Sequence, residues 1–261
     1  MPSSIYRQHL DANQANFAAL TPLSFLARAA AIYPDKTAVI HGERRFSYGE
    51  FRDRCHRLAS ALVRRGIGEG DTVAVMAPNV PAMLEAHYGV PMVGAVLNCL
   101  NTRLDASAIA FCLAHGEAKL LIADTEYADI IEGALRQLDR RIPVIDIVDA
   151  LSGAGRRIAE TDYEGLLGEG DPAFQPAPLA EEWSAISLGY TSGTTGNPKG
   201  VVCHHRGAAC WTVVGYECSQ RSSSRNTVSP LLAQLFPLRT FPGATYSDSF
   251  LLESSRIHRS C

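Results

Sequence analysis

From Pro22 onward, helix-like and strand-like runs alternate at short spacing, and no other feature limits the possible folds as strongly, because this is the pattern of an α/β layered architecture. "TPLSFLARAAAIYP" offers Thr21 as an N-cap and Pro22 as the first helical residue, puts Leu23, Leu26, Ala27 and Ala30 on one face, and stops at Pro34. "TAVIHGERRFS" reads as two short strands turning at Gly42. Ser47 and Glu50 form a capping box, after which Phe51, Cys55, Leu58, Leu62 and Val63 recur at helical spacing until Gly66. "GDTVAVMAP" reads as a wholly buried strand, "VPAMLEAHYG" as a helix, and "LDASAIAFCLAHG" as a further helix capped by Asp105. "KLLIAD" and "PVIDIV" read as strands around a helix near residues 126 to 139, an order that predicts parallel pairing. The proline-rich "GEGDPAFQPAPLAEEW" (168 to 183) has neither period and reads as a surface connection into "SAISLGYTSG".

Composition narrows the function classes. The 261 residues are 46% hydrophobic and 20% charged with a net charge of -3, enough apolar surface for a sizeable core and no basic stripe for a phosphate backbone. Nucleic acid is therefore not the expected partner, and a small-molecule site is. The opening "MPSSIYRQHL" lacks the charged head and apolar core of a signal peptide, so the expected location is cytoplasmic. "YGVPMVGAVLNCL" (88 to 100) is too short for a bilayer span and reads as buried helix and strand. Seven cysteines without a CxxC pair suggest neither a disulfide framework nor a zinc site, and are expected to be reduced, half-buried small hydrophobes.

The chemistry concentrates in "YTSGTTGNPKG", residues 190 to 200. Gly193 and Gly196 let the backbone turn and approach a ligand closely. Thr191, Ser192, Thr194 and Thr195 add hydroxyls, and Lys199 adds a full positive charge. Backbone N–H groups in a concave turn, with hydroxyl donors and one ammonium, suit polyphosphate oxygens. A polar surface turn whose hydroxyls cap one another would not need all of these together. Asn197 and Pro198 separate the second glycine from Lys199, so the string fails the G-x-x-x-x-G-K-[ST] pattern and speaks against a P-loop kinase or phosphatase. It contains no G-x-S-x-G elbow, and "GIGEGD" (66 to 71) is not a dinucleotide fingerprint.

At these residues the sequence resembles the adenylate-forming superfamily, specifically its acyl-CoA synthetases, of which "YTSGTTGNPKG" looks like the phosphate-loop signature. The resemblance extends through "DKTAVIHGERRFSYGEF", "GDTVAVMAPNVPAMLEAHYGVPMVGAVLNCLNTRLDA", "HGEAKLLIAD" and "GVVCHHRGA", roughly residues 5 to 209, and "LNTRLDA" with "HHRGA" is most similar to the medium-chain and methylthiopropionate branch. It implies an α/β fold, the first part of a large N-terminal domain of stacked α/β layers, without the small C-terminal domain. It also implies an ATP-dependent acid–thiol ligase that forms an acyl-adenylate and then an acyl-CoA from a carboxylate, ATP and CoA, with this chain expected to be a truncated form that is inactive alone. By the same resemblance Thr191, Ser192, Gly193, Thr194, Thr195, Gly196 and Lys199 embrace the ATP phosphates, Thr191 also helps hold Mg2+, and a homodimer follows by family analogy.

Other candidates carry less. His204 and His205 have no carboxylate or cysteine at ligand spacing and are expected to be structural or solvated. Cys203 and Cys210 have no base placed near them by the sequence and are expected to be buried. Asp124 and Asp129 are expected to cap a helix start. After about Ala209 the chain becomes rich in Ser, Arg, Leu and Pro, so residues 1–210 are expected to be a partial AMP-binding domain and 211–261 an atypical tail, out-of-frame or disordered. The competing functional reading is a nucleotide-binding fragment or pseudoenzyme that keeps the loop and does no chemistry.

Overall fold

The computed structural model describes residues 8–9, 11, 13, 15–153, 155–191 and 198–212, so the expected phosphate-loop residues Ser192, Gly193, Thr194, Thr195 and Gly196, and the tail from 213, lie outside the described residues. Helix α1 (Leu23–Ile32) leads into a hairpin of β1 (Thr37–His41) and β2 (Arg44–Ser47), followed by α2 (Tyr48–Arg64), β3 (Thr72–Met76), α3 (Pro81–Gly89), β4 (Val96–Cys99) and α4 (Ala106–His115). Then come β5 (Ala118–Asp124), α5 (Ala128–Leu135), β6 (Val144–Ile147), α6 (Tyr163–Glu169), β7 (Ala185–Thr191) and β8 (Lys199–His204), with a helical segment over 205–212.

The main sheet has the order β6-β5-β3-β4-β7-β8, with parallel pairs from β6 to β7 and one antiparallel pair between β7 and β8. Alternate residues of β3 divide the core. Val73 and Val75 face a cluster with Leu58 and Leu62 of α2, Met83 and Ala86 of α3, and Leu166 of α6. Ala74 and Met76 face Ile109 and Leu113 of α4 and Ile131 of α5. Both faces of β3 are therefore covered, which is why every residue of this strand is buried and its sequence does not alternate. Outside α2 and α3 lies a smaller cluster joining Leu26 of α1 to Phe51 and Tyr88, whose rings meet edge-on at 5.5 Å.

Local chemistry explains the element ends. The Ser47 hydroxyl accepts from Glu50 N–H while the Glu50 carboxylate accepts from Ser47 N–H, the reciprocal box that starts α2. The hairpin turns at Gly42, whose φ of +57° favours glycine. Asp105 caps α4 by accepting from Ala108 N–H at 2.8 Å. At Gly89 a Cβ would lie 2.7 Å from Leu58, so glycine is what lets α2 and α3 approach this closely.

Several expectations shift. Helix α1 begins at Leu23, with Pro22 in the cap position and the Thr21 hydroxyl accepting from Leu23 N–H. The helix expected near 126 to 139 is shorter, α5 being preceded by a 3-10 turn over Thr125–Tyr127 that Asp124 caps through Glu126 N–H. Helix α6 was not foreseen, and its last turn takes in Gly168 and Glu169 from the stretch read as a connection. Asp162 caps it by accepting from Gly165 N–H at 2.8 Å.

Candidate functional site

Strands β7 and β8 pair antiparallel with a last rung of Thr191 opposite Lys199, so the residues at either end of the Gly/Thr string share one rung. Because β7 is parallel to β4, β3, β5 and β6, Thr191 stands at the carboxyl edge of the sheet, where ligands bind in open α/β sheets. Thr191 and Lys199 are both half-buried, and Lys199 has no ion-pair partner among the described residues. Of the seven residues expected to hold phosphate, the structure thus brings together these two.

The hairpin is pinned to α4 through Tyr190. Its hydroxyl lies 2.9 Å from His115 Nδ1 and donates to the Cys112 carbonyl at 3.4 Å. Phe111 stacks on His115 with centroids 5.2 Å apart and meets Tyr190 edge-on at 6.3 Å. Burial pushes the Tyr190 phenol above its ordinary pKa, so it stays a neutral donor. Opposite Tyr190 sits Gly200, where a Cβ would meet Leu188 at 3.3 Å. Sequence reasoning quoted Tyr190 without giving it a role. The available signal was its place at the end of a strand-like run, next to the hydroxyl cluster.

Below the hairpin a clamp ties both of its strands to the chain before α1. Glu182 accepts from Leu20 N–H at 2.8 Å and pairs with Arg206. His205, which is 1% exposed, places Nδ1 2.9 Å from the Thr21 hydroxyl. Burial, with the neighbouring His204 adding to it, lowers the His205 pKa to about 4, so the ring is neutral at pH 7. His204 packs against Trp183 at 4.5 Å and accepts from Gly207 N–H. Both histidines are therefore structural parts of the joint. Cys203 and Cys210, expected to be buried, are exposed instead, because β8 is the sheet's edge strand and the 205–212 helix leaves Cys210 uncovered. Burial of part of the Cys203 side chain still raises its thiol pKa, which does not favour a nucleophile.

A second polar cluster lies near β6. Arg54 donates to Glu85 at 2.6 and 3.3 Å and to Glu164 at 2.7 and 2.9 Å, and His41 lies 3.0 Å from Asp149. The cavity among these groups is about 100 Å³, well below the volume that takes a nucleotide-sized ligand. It is a packing seam stitched by ion pairs.

The family model described as AMP-binding enzyme matches residues 26–237, running past residue 210 where the sequence likeness was expected to fade. Acetate/butyrate–CoA ligase AAE7, peroxisomal, of Arabidopsis thaliana is 48% identical over 206 residues, covering 74% of this chain and 36% of that protein. Acetate–CoA ligase CCL3 of Humulus lupulus is 47% identical over 211 residues, covering 76% and 37%. The chain spans little more than a third of the length of these curated relatives. Among solved structures, a putative long-chain-fatty-acid CoA ligase from Rhodopseudomonas palustris superposes with TM-score 0.66 at 27% identity, covering 80% of this chain and 50% of that one. The anthranilate CoA ligase AuaEII in complex with anthranoyl-AMP shares the fold, with TM-score 0.68 at 21% identity over 77% of this chain and 39% of that one. The rung between Thr191 and Lys199 at the sheet's carboxyl edge is thus set in a scaffold matched by this family over most of its length, and the chain belongs to the AMP-binding enzymes.

Proposed function

We propose that the protein takes part in ATP-dependent activation of a carboxylate and its transfer to CoA. The observation that carries this reading is the rung between Thr191 and Lys199, which holds the ends of a hydroxyl- and glycine-rich loop together at the carboxyl edge of a parallel sheet. A carboxylate has no leaving group that a thiol can displace. Joining it to AMP with loss of pyrophosphate supplies one, and positioning with electrostatic stabilisation is then the protein's main task.

In this reading Ser192, Gly193, Thr194, Thr195 and Gly196 present donors to the β- and γ-phosphates, and the Lys199 ammonium offsets charge on them. The half-buried Thr191 hydroxyl, a hard oxygen donor at the sheet's carboxyl edge, would be the residue that helps hold Mg2+ beside the phosphates. That ion would supply neutralisation of phosphate charge during adenylation. The acid is a small carboxylate in this reading, as the names of the acetate, butyrate and benzoate ligases among the relatives suggest.

Carboxylate-dependent exchange of pyrophosphate into ATP, across a panel beginning with acetate and butyrate, tests the reading. Exchange that requires one acid of the panel supports it. Nucleotide binding with no exchange for any acid would favour the non-catalytic nucleotide-binding fragment. A cytoplasmic site and a homodimer belong to the same proposal. The free thiols of Cys55, Cys99 and Cys112 suit a reducing compartment, whereas several relatives are named as peroxisomal. Fluorescent tagging separates the two locations, and sedimentation tests the dimer.

A further inference from the structure

Between α3 and β4, away from any role in phosphate binding, three soft or borderline donors converge. Met83 and His87 lie one helical turn apart on α3, and Cys99 ends the neighbouring strand β4. Cys99 Sγ is 3.7 Å from His87 Nε2 and 3.9 Å from Met83 Sδ. Met83 and His87 are buried and Cys99 is half-buried against the same core.

We propose that Met83, His87 and Cys99 form a binding site for a soft monovalent metal ion of the Cu(I) or Ag(I) type. A metal held about 2.0–2.3 Å from each of three donors in a trigonal plane separates those donors by about 3.5–4 Å, and the two separations seen here fall in that interval. Thioether and thiolate donors select soft ions.

The second shell is already in place. His87 Nδ1 donates to the Met83 carbonyl at 2.7 Å, which fixes the tautomer and leaves the Nε2 lone pair toward Cys99. Burial lowers the His87 pKa to about 4, so the ring is a neutral ligand at pH 7. Binding breaks the Cys99 S–H bond, forms the metal–sulfur bond and releases one proton to solvent. Burial pushes the Cys99 thiol up to about 12, so it ionises only when a cation takes the proton's place. Thiolate plus a monovalent ion is neutral overall. A divalent ion would leave a net positive charge among the apolar residues of this core and would lack the fourth ligand that Zn2+ takes in structural sites.

The test uses the reduced 261-residue chain and Cu(I), supplied under anaerobic conditions against a colorimetric Cu(I) chelator. In a background of Cys203→Ala and Cys210→Ala we expect the chain to hold one equivalent of Cu(I), and Met83→Leu, which keeps the apolar volume, to weaken that binding at least tenfold. X-ray absorption should show one nitrogen and two sulfur neighbours. A second variant, Cys99→Ser, removes the thiolate at nearly constant shape and should weaken the binding by at least as much. Unchanged affinity in Met83→Leu or in Cys99→Ser, or an all-sulfur absorption spectrum, would each overturn the proposal.

Discussion

Thr191 and Lys199 are partners on the last rung of the β7–β8 ladder, so the two residues that bound the Gly/Thr string are paired through their backbones at the carboxyl edge of the sheet. The main-chain pairing fixes the register of the two positions, whereas neither side chain is tied down by an ion pair among the described residues.

Replacing Lys199 with alanine should lower affinity for Mg–ATP by about tenfold or more, the loss of one charge-assisted contact of about 1.5–3 kcal/mol. The melting temperature should hardly move, because Lys199 has no ion-pair partner among the described residues. Calorimetric titration with Mg–ATP checks the first point and thermal unfolding the second. Unchanged affinity would mean that Lys199 is a solvated loop-end residue.

Tyr190→Phe keeps the ring contacts with Phe111 and His115 and removes only the hydroxyl that links β7 to α4. We expect a stability loss of about 1 kcal/mol, read from urea midpoints, since one hydrogen bond disappears and His115 loses its partner there.

The Arg54 cluster should respond unequally to its two acids. Burial raises the Glu85 carboxyl pKa and Arg54 opposes that shift, while the two-point contact keeps the pair ionic. Glu85 is buried, so Glu85→Ala strands a half-buried guanidinium and should cost about 3 kcal/mol. Glu164 is 57% exposed, and Glu164→Ala should cost less than about 1 kcal/mol. Equal losses in chemical denaturation would contradict this division.

Stability should fall on acidification through the window set by His205. Its pKa is lowered from 6.5 to about 4 by burial and by the adjacent His204, so the unfolded chain binds a proton that the folded chain refuses. The contribution is complete above pH 6.5 and is lost as pH falls toward 4, with a limiting slope of roughly 1.4 kcal/mol per pH unit. Thr21 offers only a hydroxyl, while Glu182 and Arg206 of the same joint engage each other. His205→Asn should flatten the profile in that window, as followed by urea midpoints at successive pH values.

Where structure is set by near neighbours, the sequence was sufficient. The Ser47–Glu50 box, the turn at Gly42 and the Asp105 cap all depend on residues within a few positions, and all appear in the structure, while the unbroken apolar run within 72–76 marks a strand that needs cover on both faces. Helix α6 escaped because seven residues containing Gly165 and Gly168 are too few to display a helical period, although Asp162 supplied a legible cap. The string at 190–200 carries an expectation of polyphosphate binding in its glycines, hydroxyls and lysine, and of its seven expected site residues only Thr191 and Lys199 lie among the described residues.

Tertiary structure alone decided which distant residues meet. The order β6-β5-β3-β4-β7-β8 puts β7 beside β4 rather than beside β6, and this carries Tyr190 to His115, 75 positions away. The pairing of Thr21 with His205, the Arg54 bridge to Glu85 and Glu164, and the meeting of Met83, His87 and Cys99 arise in the same way. Caps and turns are written in the sequence because their hydrogen bonds close within about four residues, whereas these contacts depend on how two faces of one sheet share the burial of α2, α3 and α6 on one side and α4 and α5 on the other.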